Sequence, residues 1–496
     1  MRQNWLILLL ALFSTVPSAA YAQSIPSRKL NVLFIAADDL RNDLGCYGNT
    51  IVKTPNLDRL AKRGVLFNRA YCQQALCNPS RASMMTGRRP DTLRIWDLPT
   101  HFRDTFPDVV TLPQYFKQHG YFTQNIGKIY HNWRQEIHGD PSSWSVPAMM
   151  HFANHSDDKP VITGPLPPDF AKAAKCEQRN VPDEAYFDGR VAQLSMEALR
   201  QCKTNSQPFF LAVGFWKPHT PFNAPKRYWD MYRRGDIATP KHPEWPTDAP
   251  RIAWHNGQEL LGVEGVKPSP DGAQEFRHGY LANISYLDAQ VGKVLDELDR
   301  LNLSEQTVIV LWGDNGYHLG EQTLWAKTSN FELDARVPLM VVIPRMSSAG
   351  VQTDALVELV DLYPTLVQVC GLPAVEGLEG VSLSPIFANP KATVKAAALT
   401  EHPRPAYYAK APTTMGYSVR TDRYRYTEWR DWQTGAVIAQ ELYDHKTDPD
   451  ETQNVAGDPQ RVTDMRECSI LLQRLNPIVQ PGWKPVLPAQ PRSRIK

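Results

Sequence analysis

The sequence predicts an α/β protein: a mixed, mostly parallel sheet flanked by helices, followed by a smaller C-terminal α+β subdomain. Three observations predict it. Apolar runs rich in Val, Leu and Ile, such as "KLNVLFIAADDL" (residues 29–40) and "QTVIVLWGDNG" (306–316), read as strands buried on both faces, as in a parallel sheet. Helical patterns such as "TPNLDRLAKRG" (54–64) and "YLDAQVGKVLDELDRLNL" (286–303) alternate with the strand runs, which is the signature of helices packed on both faces. Near the C-terminus the pattern changes to "GYSVRTDRYRYTEW" (416–429) and "AQELYDHKTDPDETQN" (439–454), which alternate like antiparallel strands around a turn.

In chain order, the first 22 residues combine one arginine, an apolar run from 5 to 13 and the small-x-small "AYA" at 20–22. They read as a secretory signal peptide cleaved before Gln23, too short for a membrane span. A secreted or periplasmic protein without stable membrane insertion is expected. Residues 23–390 are assigned to the catalytic domain and 391–496 to the C-terminal subdomain, because the pattern lapses between 384 and 397.

The 29–40 run stops at Asp38 and Asp39, and the 306–316 run stops at Asp314 and Asn315. Between them, "YFTQNIGKIYH" (121–131) and "PFFLAVGFWKPHTPF" (208–222) are strand candidates, each ending in a lysine and a histidine. In doubly wound sheets ligands bind beyond the carboxyl ends of the strands, so the four polar ends are expected to converge on one crevice. Residues 140–183 and 230–269 are rich in Pro, Trp and His and weakly periodic; they are substrate walls or loose surface insertions.

With 54 basic against 52 acidic side chains, no global field favours nucleic acid, and an anionic ligand must be met by a local cluster. The seven cysteines and the exported reading leave up to three disulfides open, with Cys77 the one to stand apart.

Two acid pairs at strand ends repel unless a cation neutralises them. Asp38, Asp39, Asp314 and Asn315 offer hard oxygen ligands, suited to Ca²⁺ or Mg²⁺ rather than zinc; taken singly, each pair is equally a helix cap or turn. In "LCNPSRASMMTGRRPD" (76–91), Pro79 suits a first helical turn and Gly87 an end, placing Cys77 at a helix N-terminus. There it is a buried small residue, an acidic nucleophilic thiol, or a precursor of another group.

"CNPSRASMMTGR" (77–88) resembles the signature of the type I, formylglycine-dependent sulfatases. The likeness extends through "AADDLR", "GRRPDTLRIWDL", "IGKIYH", "VGFWKPHTPF", "DNGYHLGE", "WAKTSNFE" and "GYSVRTDRYRYTEW", and is nearest the iduronate-2-sulfatase branch. The resemblance implies an alkaline-phosphatase-like fold and a Cys77 oxidised to formylglycine by a formylglycine-generating enzyme. It further implies that Asp38, Asp39, Asp314, Asn315 and the modified Cys77 hold one divalent cation, usually Ca²⁺. Arg81 would fix the nucleophile, Lys128 and His131 would orient it and take its proton, and His219 and Lys327 would protonate the leaving alcohol. The branch usually carries histidine where this chain has Asn315, a departure that bears on substrate rather than catalysis. A sulfated saccharide, with 2-O-sulfated uronic acid favoured, is the expected substrate. The rivals are a phosphonate or phosphate ester hydrolase and a catalytically silent sulfoglycan-binding protein.

Overall fold

The computed structural model describes residues 29–131, 139–151, 175–205, 207–407 and 411–476. The expected signal peptide, the expected cleavage site and much of the 140–183 loop lie outside these residues.

A seven-stranded sheet forms the centre. Its strands are β1 (Asn31–Asp38), β2 (Val65–Tyr71), β3 (Phe122–Gly127), β4 (Phe209–Pro218), β5 (Thr307–Gly313), β6 (Arg336–Val342) and β7 (Val351–Glu358). The spatial order is β7-β2-β6-β5-β1-β4-β3. Neighbours run parallel except β6, which is antiparallel to both β2 and β5.

The two-sided burial of β1 shows why its sequence is an unbroken apolar run. Leu33, Ile35 and Ala37 point into one core, against helices α1 (Pro55–Ala61), α3 (Phe187–Thr204) and α4 (Pro270–Arg300). Val32, Phe34 and Ala36 point into the other, against α2 (Cys77–Thr86) and α5 (Leu362–Val369). Both sets are excluded from water, so neither face tolerates the polar alternation of a half-exposed strand. Ser269 starts α4 by accepting the Gly272 N–H, and Pro270 occupies its first turn, where no amide donor is missed.

The C-terminal sheet is antiparallel, in the order β8 (Ala398–Arg404), β9 (Thr414–Arg420), β10 (Tyr424–Asp431), β11 (Val437–Asp444). One face, carrying Leu399, Met415, Tyr417, Val419, Tyr426 and Leu442, packs on Cys468 and Leu472 of α6 (Val462–Leu475). The other, through Trp429 and Tyr443, packs on Ala253, Leu324 and Phe331 beside the carboxyl end of the large sheet.

All seven cysteines are unpaired, so the three bridges allowed by the cysteine count do not form. Cys72, Cys202, Cys370 and Cys468 are small apolar residues inside cores.

Candidate active site

The four polar strand ends do converge. β1 delivers Asp38 and Asp39, β5 delivers Asp314 and Asn315, and β3 and β4 end beside Lys128 and His219. Close approach of β3 and β4 requires glycine: a Cβ at Gly214 would lie 2.0 Å from the Lys128 carbonyl oxygen. Asp39 has φ 60°, a left-handed conformation uncommon outside glycine that turns the chain off the strand into the site.

Helix α2 is aimed into the same place. Leu76 is extended, Cys77 opens the helix, and Gly87 closes it with φ 66°. Two side chains tie the helix to the sheet: Ser80 Oγ donates to the Asp314 carbonyl (2.6 Å), and Arg81 Nη1 donates to the carbonyls of Lys128 (2.6 Å) and Ile129 (3.1 Å). Arg81 also donates through Nε to Asp314 Oδ2 (2.7 Å) and lies over the Trp312 ring.

Cys77 Sγ donates to Asp38 Oδ1 (3.2 Å) and accepts from Lys327 Nζ (3.1 Å). Lys327 also reaches Asp39 Oδ1 (2.5 Å), and Lys128 pairs with Asp38 Oδ2 while its ammonium sits 4.4 Å from the centre of the Trp216 ring. His219 Nδ1 faces the Thr220 carbonyl and Nε2 lies 2.7 Å from Glu259 Oε1. His131 joins the group through the charges of Lys128, Asp38, Lys327 and Arg81.

The electrostatics follow from burial. Burial alone would push Asp38 up, but Lys128, His219, Arg81 and Lys327 outweigh it and hold the carboxyl well below its usual range. Burial carries Asp39 up to about 6 against the pull of Lys327 and His219. Burial lowers the basicity of Lys128 and Lys327, yet Asp38 and Asp39 more than offset it and keep both ammonium groups charged. Burial and the neighbouring Lys128 drive His131 well below the usual imidazole range. Cys77 is 1% exposed, and burial with Asp38 beside it pushes the thiol well above its usual value despite the two lysines. Of the three readings open for Cys77, burial disfavours the acidic, nucleophilic thiol, because desolvation exceeds the helix-terminus effect.

A divalent cation fits the residues present. Asp39 Oδ2 and Asn315 Oδ1 are buried oxygens with no hydrogen-bond partner, a costly state for acceptors unless a cation meets them. Ligand atoms of Asp38, Asp39, Cys77 and His219 lie within 4.8 Å of one another. Asp314 stands at the edge of that group, with Oδ1 accepting the N–H groups of Asp39 (3.0 Å) and Asn315 (2.9 Å) and Oδ2 turned to Arg81. Asn315 Nδ2 donates to Asp39 Oδ1 (2.8 Å), which aims its own oxygen away from that carboxylate.

Other motif residues have structural partners. His318 pairs with Asp334 (2.6 Å), Glu321 with Arg41 (2.9 Å) and Arg89 with Glu358 (2.8 Å). Glu259 was missed by sequence reasoning: it sits in the 230–269 loop with no motif around it, yet joins His219 to Lys327.

Strand-end carboxylates, a buried cysteine at a helix start and flanking cations together suit a hydrolase for anionic esters of the alkaline-phosphatase-like fold. The chain matches the Sulfatase family over residues 30–372 and the C-terminal family of N-sulphoglucosamine sulphohydrolase over 320–476. It is 34% identical to the iduronate 2-sulfatase of Mus musculus, with 92% of this chain and 96% of that protein covered. A solved structure in complex with its substrate D-glucosamine-2-N,6-O-disulfate superposes with TM-score 0.72 at 21% identity, covering 90% of this chain and 98% of that one. The phosphonate monoester hydrolase of Agrobacterium radiobacter shares the fold, with TM-score 0.70 at 22% identity over 91% and 96% of the two chains. The chain belongs to the sulfatase family, the sulfuric ester hydrolases.

Proposed function

We propose that the protein removes sulfate from an acidic sugar or polysaccharide, with a 2-O-sulfated uronic acid the favoured substrate. The observation that supports this best is Cys77 Sγ standing between Asp38 (3.2 Å) and Lys327 (3.1 Å) inside a cluster of carboxylates and cations. The similarity to iduronate 2-sulfatase supports the choice of sugar. The protein is read as exported, with a signal peptide over residues 1–22, a catalytic domain over 23–390 and a C-terminal subdomain over 391–496.

In this reading Cys77 is converted to formylglycine by a formylglycine-generating enzyme, and Asp38, Asp39, Asp314, Asn315 and residue 77 hold one Ca²⁺. The modified side chain supplies a hydrated aldehyde as nucleophile, and the cation supplies Lewis-acid polarisation of the ester. The chain's own side chains do the rest. Arg81, anchored by Asp314 and the Lys128 carbonyl, holds positive charge beside residue 77. Lys128 orients the nucleophile, and His131, kept neutral by burial and Lys128, is able to accept its proton. His219 and Lys327 carry the protons for the leaving oxygen, where charge develops as the ester bond breaks.

The test is a panel of defined saccharide sulfates, together with sulfate and phosphate esters of one leaving group. The expected result is sulfate release from 2-O-sulfated uronate ends, with kcat/KM on the phosphate ester lower by about 100-fold or more. Preference for the phosphate or a phosphonate ester, or binding without turnover, contradicts the reading.

A further inference from the structure

We propose that Glu259 is a positioning residue that couples the two proton donors, His219 and Lys327, and sets them over the leaving oxygen. This rests on the roles given above to those two side chains. Glu259 Oε1 lies 2.7 Å from His219 Nε2, while Oε2 lies 3.1 Å from Lys327 Nζ and accepts from the Tyr407 hydroxyl (3.4 Å). One carboxylate thus fixes two side chains that arrive from distant parts of the chain, one after β4 and one on the segment beyond residue 325.

The Lys327 segment has little regular structure of its own. Ala326 and Thr328, on either side of the lysine, both have positive φ, 67° and 95°, so the backbone there is held by its surroundings. The short helical turn Gln258–Leu261 supplies part of that support. Leu260 and Leu261 are buried, and Gly257, with φ 63°, seats the turn against Trp325, whose carbonyl oxygen would lie 2.8 Å from a Cβ at that position. Glu259 is therefore presented from a packed turn rather than from a loose loop.

A carboxylate here is otherwise a liability. It adds negative charge beside Asp39 in a site built for an anionic ester, and like charges so placed repel one another and the substrate. Its side chain keeps 18% of its exposure while Lys327 keeps none, so packing alone did not require an acid at this position. Holding two donors at fixed separation is what a bidentate acceptor contributes, and misplacement of such groups by about 1 Å costs about 100-fold in rate.

The test compares Glu259→Gln, Glu259→Asp, His219→Ala and Lys327→Ala with the parent enzyme on sulfate esters whose leaving groups span good to poor. For Glu259→Gln, kcat is expected to fall about 10- to 100-fold with KM within about threefold, the loss growing as the leaving group becomes more basic. Glu259→Asp, which keeps the charge, is expected to recover part of the loss, and metal content should match the parent. A loss that is equal for all leaving groups, a rise in KM alone, or unchanged kinetics overturns the inference. If His219→Ala and Lys327→Ala lose activity while Glu259→Gln does not, only the role of Glu259 fails. If those two variants keep full activity, the functional reading beneath it fails instead.

Discussion

Asp39 concentrates the residue-level argument. Its left-handed backbone and an Oδ2 without a hydrogen-bond partner are each unfavourable alone, and a divalent cation held at this carboxylate would offset the cost. Asp39→Asn removes the charge with little change in shape, so the expected outcome is a loss of bound Ca²⁺ by elemental analysis. Activity should fall by about 10³-fold or more, as expected when charge stabilisation in a buried site is removed. Retention of stoichiometric calcium and activity contradicts the assignment. At this scale the sequence was most informative where side chains sit close along the chain. Cys77 and Arg81 share one helix, and Asp38 and Asp39 are adjacent, so their motifs carry the geometry with them. Glu259 was illegible because its partners lie far away in sequence and only tertiary folding brings them within 3.1 Å. The three readings of Cys77 stayed open in the sequence for a related reason: proximity to a helix start is local, but the depth of burial is not.

At the scale of elements, β1, β4 and β5 were readable because two-sided burial demands unbroken apolar runs, whereas the edge strand β3 carries Thr123, Gln124 and Asn125 and was marked by its basic end. The antiparallel insertion of β6 between β2 and β5 was not readable, since orientation leaves no trace in a run buried on both faces. The C-terminal sheet carries a distinct expectation. Glu441 on β11 is buried and accepts from Trp429 Nε1 (2.7 Å) and the Tyr443 hydroxyl (2.7 Å), yet burial pushes it up to about 7 from an ordinary 4.5. The folded protein then keeps this proton at pH values where the unfolded chain has released it. Its contribution to stability is greatest below pH 4.5 and is lost progressively as pH rises to about 7. Glu441→Gln mimics the protonated form, so the melting temperature of the parent should drop relative to the variant between pH 4.5 and 7.5. A difference between the two proteins that stays flat with pH contradicts this.

Across the whole molecule, the C-terminal sheet braces both segments that hold Cys77 and Lys327. Glu401 N–H and Thr400 Oγ1 donate to the carbonyls of Gln73 (2.9 Å) and Cys72 (2.9 Å), just ahead of Cys77. Arg404 Nη1 donates to the Thr328 carbonyl (3.0 Å), and Asn330 Nδ2 donates to the Gly416 carbonyl (3.1 Å), on the far side of Lys327. A buried network of Glu332, Arg425 and Glu451 joins the same two units, with Arg425 2.7 Å from Glu451. The likeness to a sulfohydrolase C-terminal family beginning at residue 320 matches this intimacy, since that stretch includes Lys327. The second sheet begins at Ala398, and nothing in the composition shift near residue 390 indicated that it supports the first.

The most direct measurement is the mass of the tryptic peptide spanning residues 70–81, taken from enzyme of known specific activity made alongside a formylglycine-generating enzyme. A peptide about 18 Da lighter at residue 77, in proportion to activity, is the expected result for a thiol replaced by an aldehyde. Fully active protein in which Cys77 remains an unmodified thiol would contradict the proposal at its root.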